Sequence, residues 1–471
     1  MSAVAARGPG WADALPAARP VGTAEVRAVL PAARRLVVLD DDPTGTQTVR
    51  ELPVLTRWGV DDIRWALRQP TAGFFVLTNT RSLSAADAAA RNREVAEACL
   101  SAGAEERVPI AFASRGDSTL RGHYPLETDV LAEVMAQHGD PVDAVLLSPA
   151  YLDAGRVTVD GVHWLRTAEG LTPVAEGEFA RDATFGYRSS RLADWVQEKS
   201  DGRIAAADVL EIGLDEIRAG ELAALSDVRD GRVVVVDAVT DDDLRAVVLG
   251  ILAAEAAGRR YLYRVGPSFV RARVGQGVAA PIDDARLHEL THGGRHGLVV
   301  IGSHVGLTGR QLDRLRERRS FTEVELDVAA VIEPARAEEH LREVVATAGT
   351  ALASGLVVLR TSRALVTGAD ADASLAIART VSAALSRAAR EIVATRRPGF
   401  VIAKGGITSS DIATDALGIA RAWVRGSLLP GIVSLWEAAS GPAEGLPYVV
   451  FAGNVGDDDS LADVVERLED A

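Results

Sequence analysis

The chain has 471 residues but a single cysteine, Cys99, so it cannot form an internal disulfide. Cys99 lies in an alanine-rich helical pattern, which predicts a buried structural thiol rather than a nucleophile. A lone thiol is also typical of proteins that work in a reducing compartment. We therefore expect a cytoplasmic protein.

Long apolar runs and excess positive charge are missing as well. No apolar run approaches the roughly 18 to 20 residues of a membrane-spanning helix. The formal net charge is −15, whereas a protein that binds nucleic acid needs a basic stripe to neutralise phosphates. The sequence thus predicts neither a membrane nor a nucleic-acid partner. Any anionic ligand must be held by local arginines, lysines or backbone N–H groups.

Several familiar signatures are absent too. The sequence contains no G-x-x-x-x-G-K-[ST] phosphate loop, no G-x-G-x-x-G dinucleotide fingerprint and no protein-kinase motif set. Four histidines occur between positions 288 and 304, without the cysteines or paired acids of a zinc site. We expect no metal site built from protein side chains alone.

The dominant pattern is an alternation of apolar, β-branched runs with helical stretches rich in alanine, leucine and arginine. This pattern predicts an α/β fold of two domains, each with a mostly parallel sheet flanked by helices. We interpret residues 1–30 as a loosely ordered leader, 31–270 as the first domain and 285–471 as the second. The boundary is placed in a stretch rich in Gly, Pro and Ala at 265–290.

Polar residues follow the predicted strands of the first domain, which are 36–39, 73–77, 109–113, 143–147 and 232–236. The first strand runs into the segment Asp40-Asp41-Asp42-Pro43-Thr44-Gly45. Arg81 follows the second strand, and Arg115-Gly116-Asp117-Ser118 follows the third. Open α/β sheets bind ligands beyond the carboxyl ends of their strands, so we expect one pocket here. The alternative is an acidic turn that caps the next helix.

The segment 151–190 has few periodic apolar positions and many glycines, aromatics and charges. Long connections with little regular structure are usually functional or disordered, and the aromatic content argues against disorder. We interpret this segment as an irregular lid or pocket wall.

In the second domain, three apolar runs each end in a glycine turn. The turns are Gly302-Ser303, Gly405-Gly406-Ile407-Thr408 and Gly453-Asn454. Paired glycines let the backbone approach a ligand closely, and free N–H groups at a helix start suit a phosphate. Thr308 is expected to cap a helix over about 309–318. Each junction alone is ordinary α/β architecture, but the three together indicate a nucleotide cradle.

The combination resembles the four-carbon acid sugar kinases. The similar stretches, in order within residues 36–465, are 41–45, 79–83, 117–122, 302–304, 405–411 and 453–456. The resemblance implies an amino-terminal substrate domain and a carboxyl-terminal ATP domain. It also implies transfer of phosphate to a tetronate, such as threonate, erythronate or 3-oxo-tetronate, to give the 4-phosphate.

Carried over by position, the resemblance places the acid sugar against Asp41, Asp42, Arg81, Arg115, Gly116, Asp117 and Ser118. It places ATP against Ser303, Gly405, Gly406, Ile407, Thr408 and Gly453. An arginine binds a carboxylate in bidentate fashion, so Arg81 and Arg115 are the candidate clamps. Asp42 or Asp41 would orient or deprotonate the hydroxyl, and Asp117 would bind other hydroxyls. Mg²⁺ would bridge the ATP phosphates, held largely by phosphate and water.

Two residues depart from the family pattern. Pro43 stands where many members have phenylalanine, and Arg115 stands where many have lysine. Pro43 removes a backbone donor and stiffens the loop, while Arg115 offers a wider fork than lysine. Two other functions stay open: an NAD(P)-dependent dehydrogenase of a hydroxy acid, and a non-catalytic protein that binds acid sugars. Base rates for oligomers favour a homodimer.

Overall fold

The computed structural model describes residues 4–294, 296–363, 366 and 371–471, without the side chains of 371–375. The chain divides into two compact units, residues 1–278 and 279–471. Each unit contains a mostly parallel β-sheet with helices, so the α/β prediction is confirmed. Among the helices that the structure describes, none is long and apolar enough to cross a membrane.

The first unit has eleven strands among its described residues. They are β1 Arg35–Asp40, β2 Leu52–Leu55, β3 Gly73–Leu77, β4 Ile110–Arg115, β5 Ala144–Ser148, β6 Arg156–Val159, β7 Val162–Thr167, β8 Gly170–Pro173, β9 Leu210–Ile212, β10 Arg232–Val236 and β11 Tyr261–Val265. Eight of them form one parallel sheet in the order β2-β3-β1-β4-β11-β5-β10-β9.

Helices connect these strands, as a parallel sheet requires. They are α1 Thr23–Val29, α2 Val60–Leu67, α3 Ala85–Glu106, α4 Leu126–Gln137, α5 Leu192–Lys199, α6 Leu214–Ala219, α7 Ala224–Asp227, α8 Asp241–Ala256 and α9 Pro267–Arg273. Capping residues mark where two of them begin. The Ser84 side chain accepts a hydrogen bond from the Asp87 N–H at α3, and Thr240 caps α8 in the same way.

The apolar runs of the sequence become strands because a parallel sheet is buried on both faces. The four residues of β1 from Leu36 to Leu39 are all at most 2% exposed. In the register of the sheet, Asp40 lies opposite Leu77 of β3 and Arg115 of β4. The carboxyl ends of these three strands therefore meet at one edge, and the polar residues that follow them are brought together.

The segment 151–190 is more regular than the sequence analysis expected. β6, β7 and β8 form a separate antiparallel sheet, in which Trp164 is 1% exposed. The prediction of an irregular segment was wrong here, because short strands interrupted by glycine turns leave no clear alternation to recognise. Within residues 4–30, α1 buries Val26 completely, and the Arg27 side chain donates to the Gly275 carbonyl at 2.7 Å.

The second unit has seven strands among its described residues. They are β12 Gly297–Ile301, β13 Thr322–Leu326, β14 Val357–Thr361, β15 Phe400–Lys404, β16 Arg421–Leu429, β17 Val433–Ala438 and β18 Pro447–Phe451. The order is β13-β14-β12-β15-β18-β17-β16. The first five are parallel to one another, and β17 is antiparallel to both β18 and β16.

The helices of the second unit are α10 Asp284–Thr291, α11 Gly306–Arg318, α12 Val328–Val331, α13 Pro334–Ala351, α14 Ala371–Thr395, α15 Gly406–Asp411 and α16 Ser460–Asp470. A π-helical turn, Ile412–Ala416, continues α15. Because α11 begins at Gly306, Thr308 lies inside the helix, and the prediction that it caps the helix was wrong.

We predict that Cys99 is inert in the folded protein. The thiol lies in α3 with 0% exposure, and burial raises its pKa, so the reactive thiolate is scarce at neutral pH. A thiol reagent such as dithionitrobenzoate should label no site in the native protein and one site per chain in guanidinium chloride. Full labelling of a natively folded sample would contradict the buried position.

Candidate active site

The acidic segment after β1 is held by hydrogen bonds within its own loop. Residues Pro43–Thr48 form a short 3-10 helix, and Asp42 caps it by accepting a hydrogen bond from the Thr44 N–H at 2.9 Å. Asp42 therefore caps this short helix and yet is partly accessible to solvent, because its side chain remains 23% exposed. Burial alone would raise the pKa of Asp42, but Arg81, Arg115 and the bonds from Thr44 hold it below its ordinary value.

Asp40 and Arg115 form an ion pair beneath this loop, and they are 1% and 4% exposed. Burial raises the pKa of Asp40 to about 7, although Arg115 opposes the shift and Asp41 adds to it. A Cβ atom at Gly45 would lie 2.3 Å from Arg115 Nε and from both carboxylate oxygens of Asp40. Only glycine therefore lets the backbone cross the ion pair at this position.

Arg81 binds the neighbouring carboxylate in bidentate fashion. Its Nη2 and Nε donate to Asp41 at 2.5 and 3.0 Å, and its Nη1 lies 3.5 Å from Asp42. Arg81 belongs to the 3-10 turn Thr80–Ser82 that follows β3. Asp41 is only 3% exposed, so Arg81 covers it and leaves Asp42 as the more accessible of the two carboxylates.

Asp117 lies in the loop after β4, close to the same arginine. Arg121 Nε donates to it at 2.6 Å, and the Thr119 hydroxyl also donates to it. Burial would raise the pKa of Asp117, but Arg81 and Arg121 outweigh that effect and hold it well below its usual range. The sequence-based prediction grouped Asp41, Asp42, Arg81, Arg115 and Asp117, and the structure brings all five together.

Gly116 and Ser118, the other predicted residues of this loop, make contacts through their backbones. A Cβ atom at Gly116 would lie 2.2 to 2.5 Å from the guanidinium atoms of Arg264. Arg264 is buried on β11 and donates to Ser114 and Glu127, both at 2.9 Å. Gly116 thus makes room for an ion pair inside the protein.

Two side chains that the sequence analysis did not select hold the loop from the segment 151–190. His163 is fully buried, and its Nε2 lies 2.8 Å from the Ser118 carbonyl oxygen. Burial lowers its pKa to about 4, so the ring is neutral and Nε2 donates, while Nδ1 accepts from the Thr158 hydroxyl at 3.0 Å. The Tyr187 hydroxyl donates to the Thr119 carbonyl at 2.7 Å. No sequence pattern marks either residue, since each is a single aromatic in a stretch without periodicity.

In the second unit, the three glycine junctions converge. The Thr308 hydroxyl lies 3.0 Å from the Gly453 carbonyl oxygen, to which it donates, and 3.2 Å from Ser303 Oγ. A Cβ atom at Gly453 would lie 2.6 Å from Ser303 Oγ. Gly405 has φ +128°, and a Cβ atom there would lie 3.0 Å from Thr408 Oγ1. A Cβ atom at Gly405 would also lie 3.3 Å from Ser303 Cβ, so four of the predicted nucleotide-binding residues (Ser303, Gly405, Thr408 and Gly453) lie close together.

The remaining two predicted residues, Gly406 and Ile407, begin α15. The first N–H groups of a helix have no partner within it, so they are available to a ligand. Ile407 is 64% exposed, an unusual exposure for a large apolar side chain. The preceding Lys404 is fully buried, and its Nζ donates to the Ala452 carbonyl at 2.6 Å. Burial lowers the pKa of Lys404 to about 7.

A dedicated metal centre is not visible in the part of the chain that the structure describes. No group of three or more His, Cys, Asp or Glu side chains there is arranged to hold a metal ion. The acidic residues after β1 instead use arginines as partners.

Comparisons with known proteins match both units. A family model described as a sugar-binding N-terminal domain matches residues 36–273, and one described as a nucleotide-binding C-terminal domain matches 298–461. The D-threonate kinase of Bordetella bronchiseptica is 27% identical over 445 residues, which are 92% of this chain and 97% of that protein. The D-erythronate kinase of Heliobacterium modesticaldum is 26% identical over 269 residues, which are 57% of this chain and only 56% of that protein.

Two solved structures have similar folds. A Salmonella typhimurium LT2 protein with a provisional tRNA synthase name has a TM-score of 0.63 at 19% identity, over 91% of this chain and 98% of that one. A Haemophilus influenzae protein has a TM-score of 0.60 at 16% identity, over 92% of this chain and 100% of that one. At such low identity these similarities establish the fold alone.

We predict that Gly45→Ala destabilises the first unit by about 1 to 3 kcal/mol, the usual cost of overpacking, because the new methyl group meets the Asp40–Arg115 ion pair. Gly8→Ala is the matched control, since a Cβ atom there has no neighbour within 4 Å. Urea unfolding of both variants measures the difference. Equal stability of the two variants would contradict the close approach at Gly45.

Proposed function

We propose that this chain, which belongs to the four-carbon acid sugar kinase family, phosphorylates a four-carbon acid sugar with ATP. The family models cover residues 36–273 and 298–461, most of both units. The observation that carries the proposal is the grouping of Asp41, Asp42, Arg81 and Asp117 within the unit that matches a sugar-binding domain. Family membership also weighs against the dehydrogenase alternative.

Asp42 is the better candidate for the group that acts on the hydroxyl. Asp41 is 3% exposed and both of its oxygens are bound by Arg81, whereas Asp42 is accessible and ionised. Phosphoryl transfer requires positioning, charge neutralisation and an acceptor for the hydroxyl proton, and a carboxylate in this position provides the last. Asp117, also ionised, would bind the other hydroxyl groups of a tetronate.

ATP is proposed to bind at the converging glycine junctions of the second unit. The missing side chains at Gly405 and Gly453 let Thr408 and Ser303 lie directly against the backbone, so two hydroxyl groups are held at these junctions and could bind phosphate oxygens. Mg²⁺ would be held mainly by the ATP phosphates and water, because the described residues contain no three-residue metal cluster, and it supplies neutralisation of the phosphate charge. The product expected is the 4-phosphate of the acid.

The test is ADP release with ATP, Mg²⁺ and a panel of four-carbon acids: D- and L-threonate, D- and L-erythronate and their 3-oxo forms. We expect turnover with at least one acid. Asp42→Asn should lower kcat by roughly 10²- to 10⁴-fold, the range for loss of a general base. Arg81→Ala should also lose activity, because it frees the charges of Asp41 and Asp42 from their partner.

Arg188→Ala is the control for these variants, since its side chain is 86% exposed in the same unit. It should retain the activity of the parent protein. No turnover of any acid, with ATP binding intact, would contradict the four-carbon substrate. No ATP binding would contradict the kinase assignment itself.

Gly453→Ala tests the nucleotide site separately. The added methyl group would lie 2.6 Å from Ser303 Oγ, so we expect ATP affinity to fall roughly tenfold or more, equivalent to about 1.4 kcal/mol. Gly355→Ala is the matched control in the same unit, because a Cβ atom there has no neighbour within 4 Å. Calorimetric titration with ATP measures both. Unchanged affinity in Gly453→Ala would place the nucleotide elsewhere.

A further inference from the structure

The arginines around Asp117 differ in whether they already form an ion pair with a carboxylate of the protein. Four arginines near Asp117 form ion pairs with carboxylates of the protein itself. The pairs are Arg81 with Asp41, Arg115 with Asp40, Arg121 with Asp117, and Arg264 with Glu127. A ligand carboxylate that approached any of these arginines would compete with an internal partner.

Arg156, the first residue of β6, is different. It is half-buried, and its Nη1 donates to the carbonyl oxygen of Ala154, two residues earlier. Its Nε is buried and has no hydrogen-bond partner among the described residues. None of the ion pairs within 4 Å among the described residues includes Arg156: the two acidic residues of neighbouring segments, Asp117 and Asp153, pair with Arg121 and Arg271 instead. Its positive charge is therefore not matched by a contacting carboxylate.

Backbone pairing places Arg156 beside the candidate substrate loop. Arg156 and Tyr151 exchange two backbone hydrogen bonds, at 2.9 and 3.1 Å, just after β5. Two residues further along β6, Thr158 pairs with His163, which binds the Ser118 carbonyl. The strand that begins at Arg156 is thus tied to the loop through Ser118.

The electrostatics place Arg156 within the same group of charges. Burial lowers the pKa of Arg156, and the negative charge of Asp117 opposes that shift. His163 is influenced by both Arg156 and Asp117, and the Tyr151 hydroxyl by both Arg156 and Arg115. An arginine whose pKa is lowered by burial gains free energy from a contacting anion, since that anion would offset the desolvation of its charge.

The charges of the site also favour one more cation beside the aspartates. Four carboxyl groups (Asp40, Asp41, Asp42, Asp117) face three ion-paired arginines (Arg81, Arg115, Arg121). When all four carboxyl groups are ionised, the group without Arg156 carries one excess negative charge, which would repel an anionic substrate; protonation of Asp40, whose pKa is about 7, removes that excess. Arg156 restores the balance and offers a planar fork that matches a carboxylate.

We propose that Arg156 binds the carboxylate of the acid sugar, while Arg81 and Arg115 position the aspartates. This inference rests on the kinase function proposed above and names the group by which that site selects acids over neutral polyols. Arg156 belongs to the segment 151–190. This segment would therefore supply a ligand contact, and its residues His163 and Tyr187 also hold the loop after β4 in place.

The test compares an acid with a neutral relative of the same length. Arg156→Met should raise the KM, or the calorimetric Kd, of the tetronate that binds best by roughly 10- to 100-fold, the range for charge-assisted hydrogen bonds. The weaker binding of threitol or erythritol, which lack the carboxylate, should not change. Arg156→Lys keeps the charge without the fork and should recover part of the loss.

Arg166→Met is the matched control. Arg166 lies on β7 of the same small sheet, is exposed, and donates to the carbonyl of Leu152. It should behave as the parent protein towards acids and polyols. Equal loss of acid and polyol binding in Arg156→Met, or unchanged acid binding, would overturn the proposal. If the parent protein binds an acid without turning it over, the kinase proposal fails while the binding comparison still decides the role of Arg156.

Discussion

The candidate substrate site depends on the neutralisation of buried carboxylates at the end of β1. Asp40 and Arg115 are almost completely buried, and removing one partner of such a pair typically costs about 3 to 5 kcal/mol. Arg81 does the same for Asp41 nearer the surface. With these charges compensated, Asp42 and Asp117 stay ionised with pKa values below their ordinary range. The ionised state of Asp42 and Asp117 therefore depends on arginines that the protein itself places beside them.

Glycines make room for different kinds of side chain in the two units. In the first unit, Gly45 and Gly116 make room for arginine side chains of the protein itself, since a Cβ atom at either position would meet a guanidinium group. In the second unit, Gly405 and Gly453 let the hydroxyl-bearing side chains of Thr408 and Ser303 lie against the backbone. The same residue type thus makes room for buried charges in one unit and for neutral hydroxyl groups in the other.

The sequence predicted those features that follow from continuous burial or from local motifs. The apolar runs such as 36–39 became parallel strands, and the polar residues after them met at one edge because parallel strands share an end. It could not reveal which carboxylate each arginine binds, since Asp40 and Arg115 are 75 residues apart and meet only through the register of β1 and β4. The sequence analysis did not select His163 or Arg156 for a related reason. Both lie in a small antiparallel sheet whose strands, of four to six residues, are too short to show a recognisable alternation of apolar and polar residues.

The described contacts that fix the acidic residues all come from the first unit, and those that gather the glycine junctions all come from the second. Substitutions at Arg156 or in the small antiparallel sheet are therefore expected to leave the internal hydrogen bonds of the second unit unchanged. On the function proposed above, a duplicated gene could acquire specificity for a new acid through a few substitutions in the first unit, while the second unit keeps its sequence.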